Sequence, residues 1–258
     1  MLNRTFKTVA LAMSMCCLPL TALAGALSDT IRIASKYMGY DLQYRVYTPD
    51  RIEQGVKYRI LLLTDGQWYI RPGGMVAVLD ELIEARRIEP IFAVFVDSRN
   101  PDDLGENRRN EEFMCNPQYV NFYTAELLPS LYEQYPISVD REDTSILGLS
   151  FGGLNSACFG VLASNRFYGI GMHSPASARH LRVVAGLYEE NDTQPLKIFL
   201  SAGTVNDNLR AARRFRDVLE RKGYEVTYIE AKGKAHNWEN WGELLDDALL
   251  ALLPAAPN

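Results

Sequence analysis

The chain has 258 residues, with 27 Lys or Arg against 32 Asp or Glu and a formal charge of −5. An acidic balance argues against a nucleic-acid-binding surface and against a basic membrane-docking face. Its three histidines form no close-spaced cluster with cysteines or acids, which argues against a structural zinc site.

The first residues have the pattern of a secretory leader. Arg4 and Lys7 open it, Val9 to Leu20 is apolar, and Ala22-Leu23-Ala24 is a small-x-small cleavage site before Gly25. The apolar run is short for a membrane span, and no later segment is a candidate, so no stable membrane insertion is expected after cleavage. Removing residues 1–24 leaves 234 residues with a formal charge of −7, enough for one α/β domain over residues 25–258. That organisation implies a periplasmic or secreted protein. Only Cys115 and Cys158 remain, and export permits a single bridge between them if geometry allows.

In chain order, Ile31 to Tyr37 and Leu42 to Tyr47 read as opening strands joined at Gly39-Tyr40-Asp41. Tyr58 to Leu63 is an apolar run suited to a strand buried on both faces. It ends in the polar loop Thr64-Asp65-Gly66-Gln67-Trp68. Met75 to Ala85 has helical spacing, and Ile91 to Val96 is the next buried strand. Pro101 to Asn110 is polar and turn-rich, as expected of a surface loop near a site. Tyr119 to Tyr132 reads as a helix interrupted at Pro129. Ser145 to Leu147 gives a strand and Tyr168 to Met172 another, ending in His173-Ser174-Pro175. Ala176 to Gln194 has no clear period and is expected to carry part of the substrate pocket. Leu196 to Leu200 is a strand followed by a helix from about Asn208 to Arg221. Glu225 to Ile229 is the last strand, and a helix closes the chain across Trp241 to Leu253. Strands alternating with helices indicate a mostly parallel, doubly wound sheet with helices on both faces.

Gly148-Leu149-Ser150-Phe151-Gly152 has the G-x-S-x-G spacing of a nucleophile elbow. A serine turned sharply from strand into helix leaves no room for side chains two positions to either side. Its hydroxyl then lies at a helix start, where backbone N–H groups can stabilise an oxyanion. A base and an acid are expected on later strand-end loops, in the order Ser, acid, His. His236, in Gly233-Lys234-Ala235-His236, is the histidine late enough; its other reading is packing beside Trp238 and Trp241. Asp207 is the candidate acid, with an N-cap role for the following helix as its alternative. The oxyanion donors are expected to be the amides of Phe151 and Gln67, with Gly66 permitting a tight approach. His173 ends a strand but precedes the acid, so it reads as a pocket wall or a structural residue, with contact to substrate as the lesser reading.

The ordered set Asp65-Gly66-Gln67-Trp68, Arg109-x-x-Glu112-Phe113-x-Cys115-Asn116, Glu126-Leu127-Leu128-Pro129, Gly148-Leu149-Ser150-Phe151-Gly152-Gly153 and Gly233-x-x-His236-x-Trp238 resembles the esterase branch of the α/β-hydrolases. Within it the likeness is to enterochelin (ferric enterobactin) esterases and their periplasmic relatives, over roughly residues 40 to 253. The resemblance implies an α/β-hydrolase fold, hydrolysis of carboxylic esters, Ser150 and His236 as nucleophile and base, and Asp207 at the usual acid position. It implies no metal or organic cofactor. Arg109 and Glu112 match a motif pair flanking the family's site. Their i,i+3 spacing predicts a pair that fixes a loop first and binds substrate second. Trp68 and Trp238 complete the expected substrate-binding set with Gly66, Arg109, Glu112 and His173.

Two departures separate this chain from the siderophore enzymes. It has His173-Ser174-Pro175-Ala176 in place of an aromatic-rich segment after the strand that follows the elbow, and no extra N-terminal domain is expected ahead of the catalytic one. A catechoyl-serine ester therefore competes with a feruloyl or acetyl ester on a carbohydrate, with acyl transfer to an alcohol, and with an inactive binding protein on the same scaffold.

Overall fold

The computed structural model describes residues 24–253. Apart from Ala24, the expected leader lies outside the described residues. The strands are β1 (Ala26–Leu27), β2 (Ile31–Ala34), β3 (Asp41–Thr48), β4 (Arg59–Thr64), β5 (Ile91–Asp97), β6 (Arg99–Asn100), β7 (Asp103–Asn107), β8 (Thr144–Leu149), β9 (Gly169–His173), β10 (Lys197–Gly203) and β11 (Glu225–Ala231). The helices are α1 (Gly66–Ile70), α2 (Met75–Glu84), α3 (Arg109–Glu112), α4 (Pro117–Asn121), α5 (Leu128–Gln134), α6 (Phe151–Leu162), α7 (Ala178–Glu190), α8 (Leu209–Arg221), α9 (Trp238–Gly242) and α10 (Leu245–Leu252).

Nine strands form one mixed sheet in the order β1-β3-β5-β4-β8-β9-β10-β11, with β2 also on β3. From β5 to β11 every neighbour is parallel, while β1, β2 and β5 pair antiparallel with β3. These parallel strands place their carboxyl ends along one edge. The central ones, such as Ile60 to Leu63 and Ile91 to Val96, are apolar without alternation because helices cover both faces. This is the α/β-hydrolase architecture expected from the sequence.

Two apolar layers sandwich the sheet. One gathers Phe122, Tyr123, Phe159, Phe167, Tyr188 and Phe215, and the other Leu79, Phe95, Phe199, Trp241, Leu245 and Leu249. Helix α8 shows how the pattern decides the face: Ala211, Ala212, Phe215, Val218 and Leu219 are buried, and its arginines point outward.

Three segments differ from their sequence reading. The expected surface loop 101–110 carries the exposed strand β7, which pairs with β6 just before it, and the start of α3. Pro129 does not interrupt the helix from Pro117 to Gln134. A π-helical turn at Phe122–Leu127 shifts the hydrogen-bond register, and Pro129 falls in the first turn of α5, where a missing amide costs little. The segment without a clear period is helix α7, and it packs on α8 and the core through Leu181, Val184 and Tyr188.

Cys115 and Cys158 form a disulfide that spans 43 residues and ties the turn after α3 to α6. The pairing that the sequence left open is thus made, on the helix that begins just after Ser150.

Candidate active site

The loops after β4, β8, β9, β10 and β11 meet at the carboxyl edge of the sheet, where open α/β folds collect their ligands. Ser150 joins β8 to α6 with φ 54° and ψ −119°, a backbone region that side-chain-bearing residues rarely adopt. Two hydrogen bonds hold it there: its N–H donates to the His173 carbonyl at 2.8 Å, and its own carbonyl accepts from the Ala176 N–H at 3.0 Å. Both flanking glycines are needed for space. A methyl on Gly148 would overlap the Gly152 backbone, and one on Gly152 would sit against Thr64 Oγ1.

His236 Nε2 lies 2.9 Å from Ser150 Oγ, and its Nδ1 lies 2.8 Å from Asp207 Oδ1. The three side chains come from loops after β8, β10 and β11. Asp207 also accepts from Ser174 Oγ at 2.5 Å, from the Gly203 N–H at 2.7 Å and from the Asn208 N–H at 2.6 Å. Burial alone would raise its carboxyl. The hydrogen bonds from His236, Ser174, Gly203 and Asn208 outweigh that and hold it below the usual carboxylate range. Asp207 is not the N-cap of α8, since Asn208 occupies that position.

The residues that hold the acid are not evident from sequence. Ser174, at φ 44°, accepts from Trp241 Nε1 at 3.0 Å while donating to Asp207. Asn240 fixes the far loop by donating to the Ala235 carbonyl at 3.0 Å. The one available signal is Ser174's place at the end of a strand adjoining β8 and β10, beside the more conspicuous His173.

His173 is fully buried, bonded to Ser201 Oγ at 3.1 Å and packed edge-on against Phe199. Burial pushes its imidazole down to about 3, so it stays neutral. It does not wall the cleft; its contribution to the site is the carbonyl that holds Ser150. Gly66 likewise meets no open space. A side chain there would collide with the Phe95 backbone, so the glycine lets α1 start hard against β5.

Arg109 does not pair with Glu112. Its Nη2 lies 2.8 Å from Oδ2 of Asp65, a fully buried carboxylate, and its guanidinium sits near the rings of Trp68, Phe151 and Phe113. Burial raises the Asp65 carboxyl to about 6, opposed by Arg109 and by Ser98, which donates at 2.8 Å. Gln67 Nε2 in turn reaches Ser98 Oγ at 3.3 Å, which ties the start of α1 to this ion pair. Glu112 turns away from the cleft and accepts from Tyr40 Oη at 3.1 Å. One turn of helix brings the pair within reach, but a buried acid opposite Arg109 competes more strongly than a neighbour on the same short helix.

Glu112 carries a pH prediction. Burial raises its carboxyl to about 8, against partial relief from Tyr40 and Arg108. The folded protein therefore keeps a proton that the unfolded chain releases above about 4.5. Its contribution to stability is full below that pH and is lost as pH rises through about 8. Glu112→Gln should flatten the fall of Tm between pH 5 and 9, read by calorimetry; parallel curves for both proteins would refute the assignment.

A cleft of about 360 Å³ opens over Ser150 and His236, lined by Trp68, Pro72, Arg109, Leu149, Trp238 and Trp241. Trp238 starts α9 and stacks edge-on against Tyr69 and Trp241. Phe151 is the first residue of α6 and Gln67 the second of α1, so both amides belong to helix starts, where N–H groups lack intrahelical acceptors. Gln67 also lines a second cavity, of about 520 Å³, with Arg45, Arg71 and Arg99. Among the described residues no group of three or more His, Cys, Asp or Glu could hold a metal ion, and no helix is long and apolar enough to cross a membrane.

Comparison with known proteins agrees with the fold. The chain is 30% identical over 176 residues to the iron(III) salmochelin esterase of Escherichia coli, an alignment covering 66% of this chain and 40% of that protein. It superimposes on the enterobactin esterase of Shigella flexneri, crystallised in the presence of enterobactin, with a TM-score of 0.77, 21% identity, and coverage of 87% of this chain and 58% of that one. A ferulic acid esterase of Anaeromyces mucronatus in complex with ferulic acid gives a TM-score of 0.69 at 18% identity, covering 87% of this chain and 89% of that chain. The chain thus spans roughly half the length of the two siderophore esterases it matches. Residues 35–252 match the family described as "Putative esterase". The protein belongs to that esterase family.

Proposed function

We propose that the protein is an exported serine esterase that works through an acyl-enzyme. The observation that carries this reading is the unbroken chain from Ser150 Oγ to His236 Nε2 at 2.9 Å and from His236 Nδ1 to Asp207 at 2.8 Å. His236 takes the hydroxyl proton as Ser150 Oγ bonds to the ester carbonyl carbon. Asp207 keeps Nδ1 protonated, so that Nε2 is free to accept, and stabilises the imidazolium. The oxyanion is held by the amides of Phe151 and Gln67. The tetrahedral intermediate then breaks its bond to the leaving alkoxide, which receives the proton from His236. Water, activated by the same imidazole, attacks the acyl-enzyme and releases the acid. Removing one oxyanion donor from a site of this kind costs roughly 3 kcal/mol of transition-state stabilisation.

The three tryptophans and the Arg109 guanidinium around the cleft favour a flat, electron-rich acyl group. The substrate class is an aryl-acyl ester, with catechoyl-serine esters first because of the sequence likeness to the salmochelin esterase. Feruloyl esters are second, supported by the fungal neighbour of comparable length. Export is supported by the N-terminal pattern and by the Cys115–Cys158 bridge, which suits an oxidising compartment.

A fluorophosphonate probe should label Ser150, located by peptide mass spectrometry. Comparison of kcat/KM for linear and cyclic catechoyl-serine esters, their ferric complexes, and feruloyl and acetyl sugars should rank a catechoyl-serine ester highest. Absence of labelling would overturn the enzyme reading, and a feruloyl or acetyl sugar at the top would overturn the substrate class.

A further inference from the structure

Before Gly25 the chain has the small-x-small pattern Ala22-Leu23-Ala24, and Gly25 holds a fixed place in the fold. Its backbone nitrogen lies 2.8 Å from Asp80 Oδ1, a carboxylate on α2 that also accepts from Tyr47 Oη at 2.8 Å. The next residues are stapled to β3: Ala26 and Leu27 pair with Thr48 and Tyr47, Ser28 N–H donates to the Val46 carbonyl at 2.9 Å, and Ser28 Oγ accepts from the Val46 N–H at 2.9 Å. The position favours glycine, because a Cβ on Gly25 would overlap the buried Tyr47 ring. Ala24, just before it, is exposed.

The geometry points to a latch made by processing: cleavage of the Ala24–Gly25 bond converts the Gly25 amide nitrogen into an α-ammonium that forms an ion pair with Asp80. This rests on the export reading given above. Hydrolysis of that peptide bond adds water, leaving a carboxylate on Ala24 and an amine on Gly25 that is protonated at neutral pH. The nitrogen need not move. The amide N–H that donates to the Asp80 carboxylate becomes one of the three N–H groups of a cation, so the existing hydrogen bond gains the attraction of a full positive charge. Tyr47 Oη fixes Asp80 before cleavage, so the acceptor is in place.

The consequence is directional. The precursor has the hydrogen bond but not the ion pair, and is the less stable form until the leader is removed. A chain that must remain unfolded to cross a membrane benefits from that order of events. Since both groups are half-buried, the gain is that of a partly screened pair.

The test compares the protein from Gly25 to Asn258 in three forms: free amine, acetylated Gly25, and a form that retains Ala22 to Ala24. Each is made with Asp80 and with Asp80→Asn. The free-amine form should melt about 2–4 °C above the other two, roughly the shift of a 1 kcal/mol interaction in a domain of this size. The difference should shrink in high salt and disappear in Asp80→Asn, which isolates the pair from general packing. Equal melting of the three forms with Asp80 present, or a difference that survives Asp80→Asn, would overturn the latch. Intact mass of protein exported by a secreting host should begin at Gly25. Another start would overturn the cleavage assignment, while the amine comparison would still decide the ion pair.

Discussion

Ser150→Ala should lower kcat for an aryl ester by about 10⁵–10⁶-fold while leaving Tm within a degree or two of the parent. The rate falls this far because attack, proton transfer and leaving-group protonation act as one unit, and losing the nucleophile costs about as much as losing the whole set. The residual rate over solution is what the oxyanion amides and the cleft provide. Stability is unaffected for a local reason. Alanine keeps the same Cβ at φ 54°, so the backbone strain of the elbow is neither relieved nor increased. The hydrogen bonds that hold the turn, Ser150 N–H to the His173 carbonyl and Ala176 N–H to the Ser150 carbonyl, are made by the main chain. Stopped-flow kinetics with a p-nitrophenyl ester and calorimetry on the same preparations check both halves. Activity within about tenfold of the parent would end the nucleophile assignment.

Asp207→Asn should lower kcat by about 10⁴-fold with a small change in KM. Of the donors that Asp207 accepts from, His236 Nδ1 is the one that matters for chemistry. A carboxylate can only accept, so it holds the proton on Nδ1 and leaves Nε2 to receive the serine proton. The Gly203 and Ser174 donors fix one side-chain oxygen, which an asparagine would keep as its carbonyl. Its NH2 would then face Nδ1, favouring the tautomer with the proton on Nε2, where it cannot serve as base. Rate should recover in part at high pH, where Ser150 loses its proton directly to solvent base and attack no longer depends on Nε2. Unchanged kinetics in the Asp207→Asn variant would reduce the site to Ser150 and His236 alone.

The elements legible in the sequence share a physical trait: their signal is contained in a short window. The elbow is legible because G-x-S-x-G records a steric conflict among five consecutive residues, the same conflict found between Gly148, Gly152 and Thr64 in the fold. The buried strands β4 and β5 are legible because continuous apolar runs have no other stable place in an α/β sheet. His236 and Asp207 follow from order along the chain once the serine is fixed. The π turn before Pro129 and helix α7 are less legible, because one depends on a register shift and the other presents only a narrow apolar stripe.

By itself, then, the sequence determined the layered α/β architecture, the sharp turn at Ser150 and the order of Ser150, Asp207 and His236 along the chain, since local sterics and hydrophobic period are written residue by residue. Only the tertiary structure decided the partners of the buried polar groups: Arg109 with Asp65 rather than Glu112, Ser174 and Asn240 behind Asp207, His173 in the core, and the Gly25 nitrogen on Asp80. A polar group withdrawn from water takes the partner that folding leaves nearest in space, and separation along the chain, 55 residues between Gly25 and Asp80, carries no trace of it.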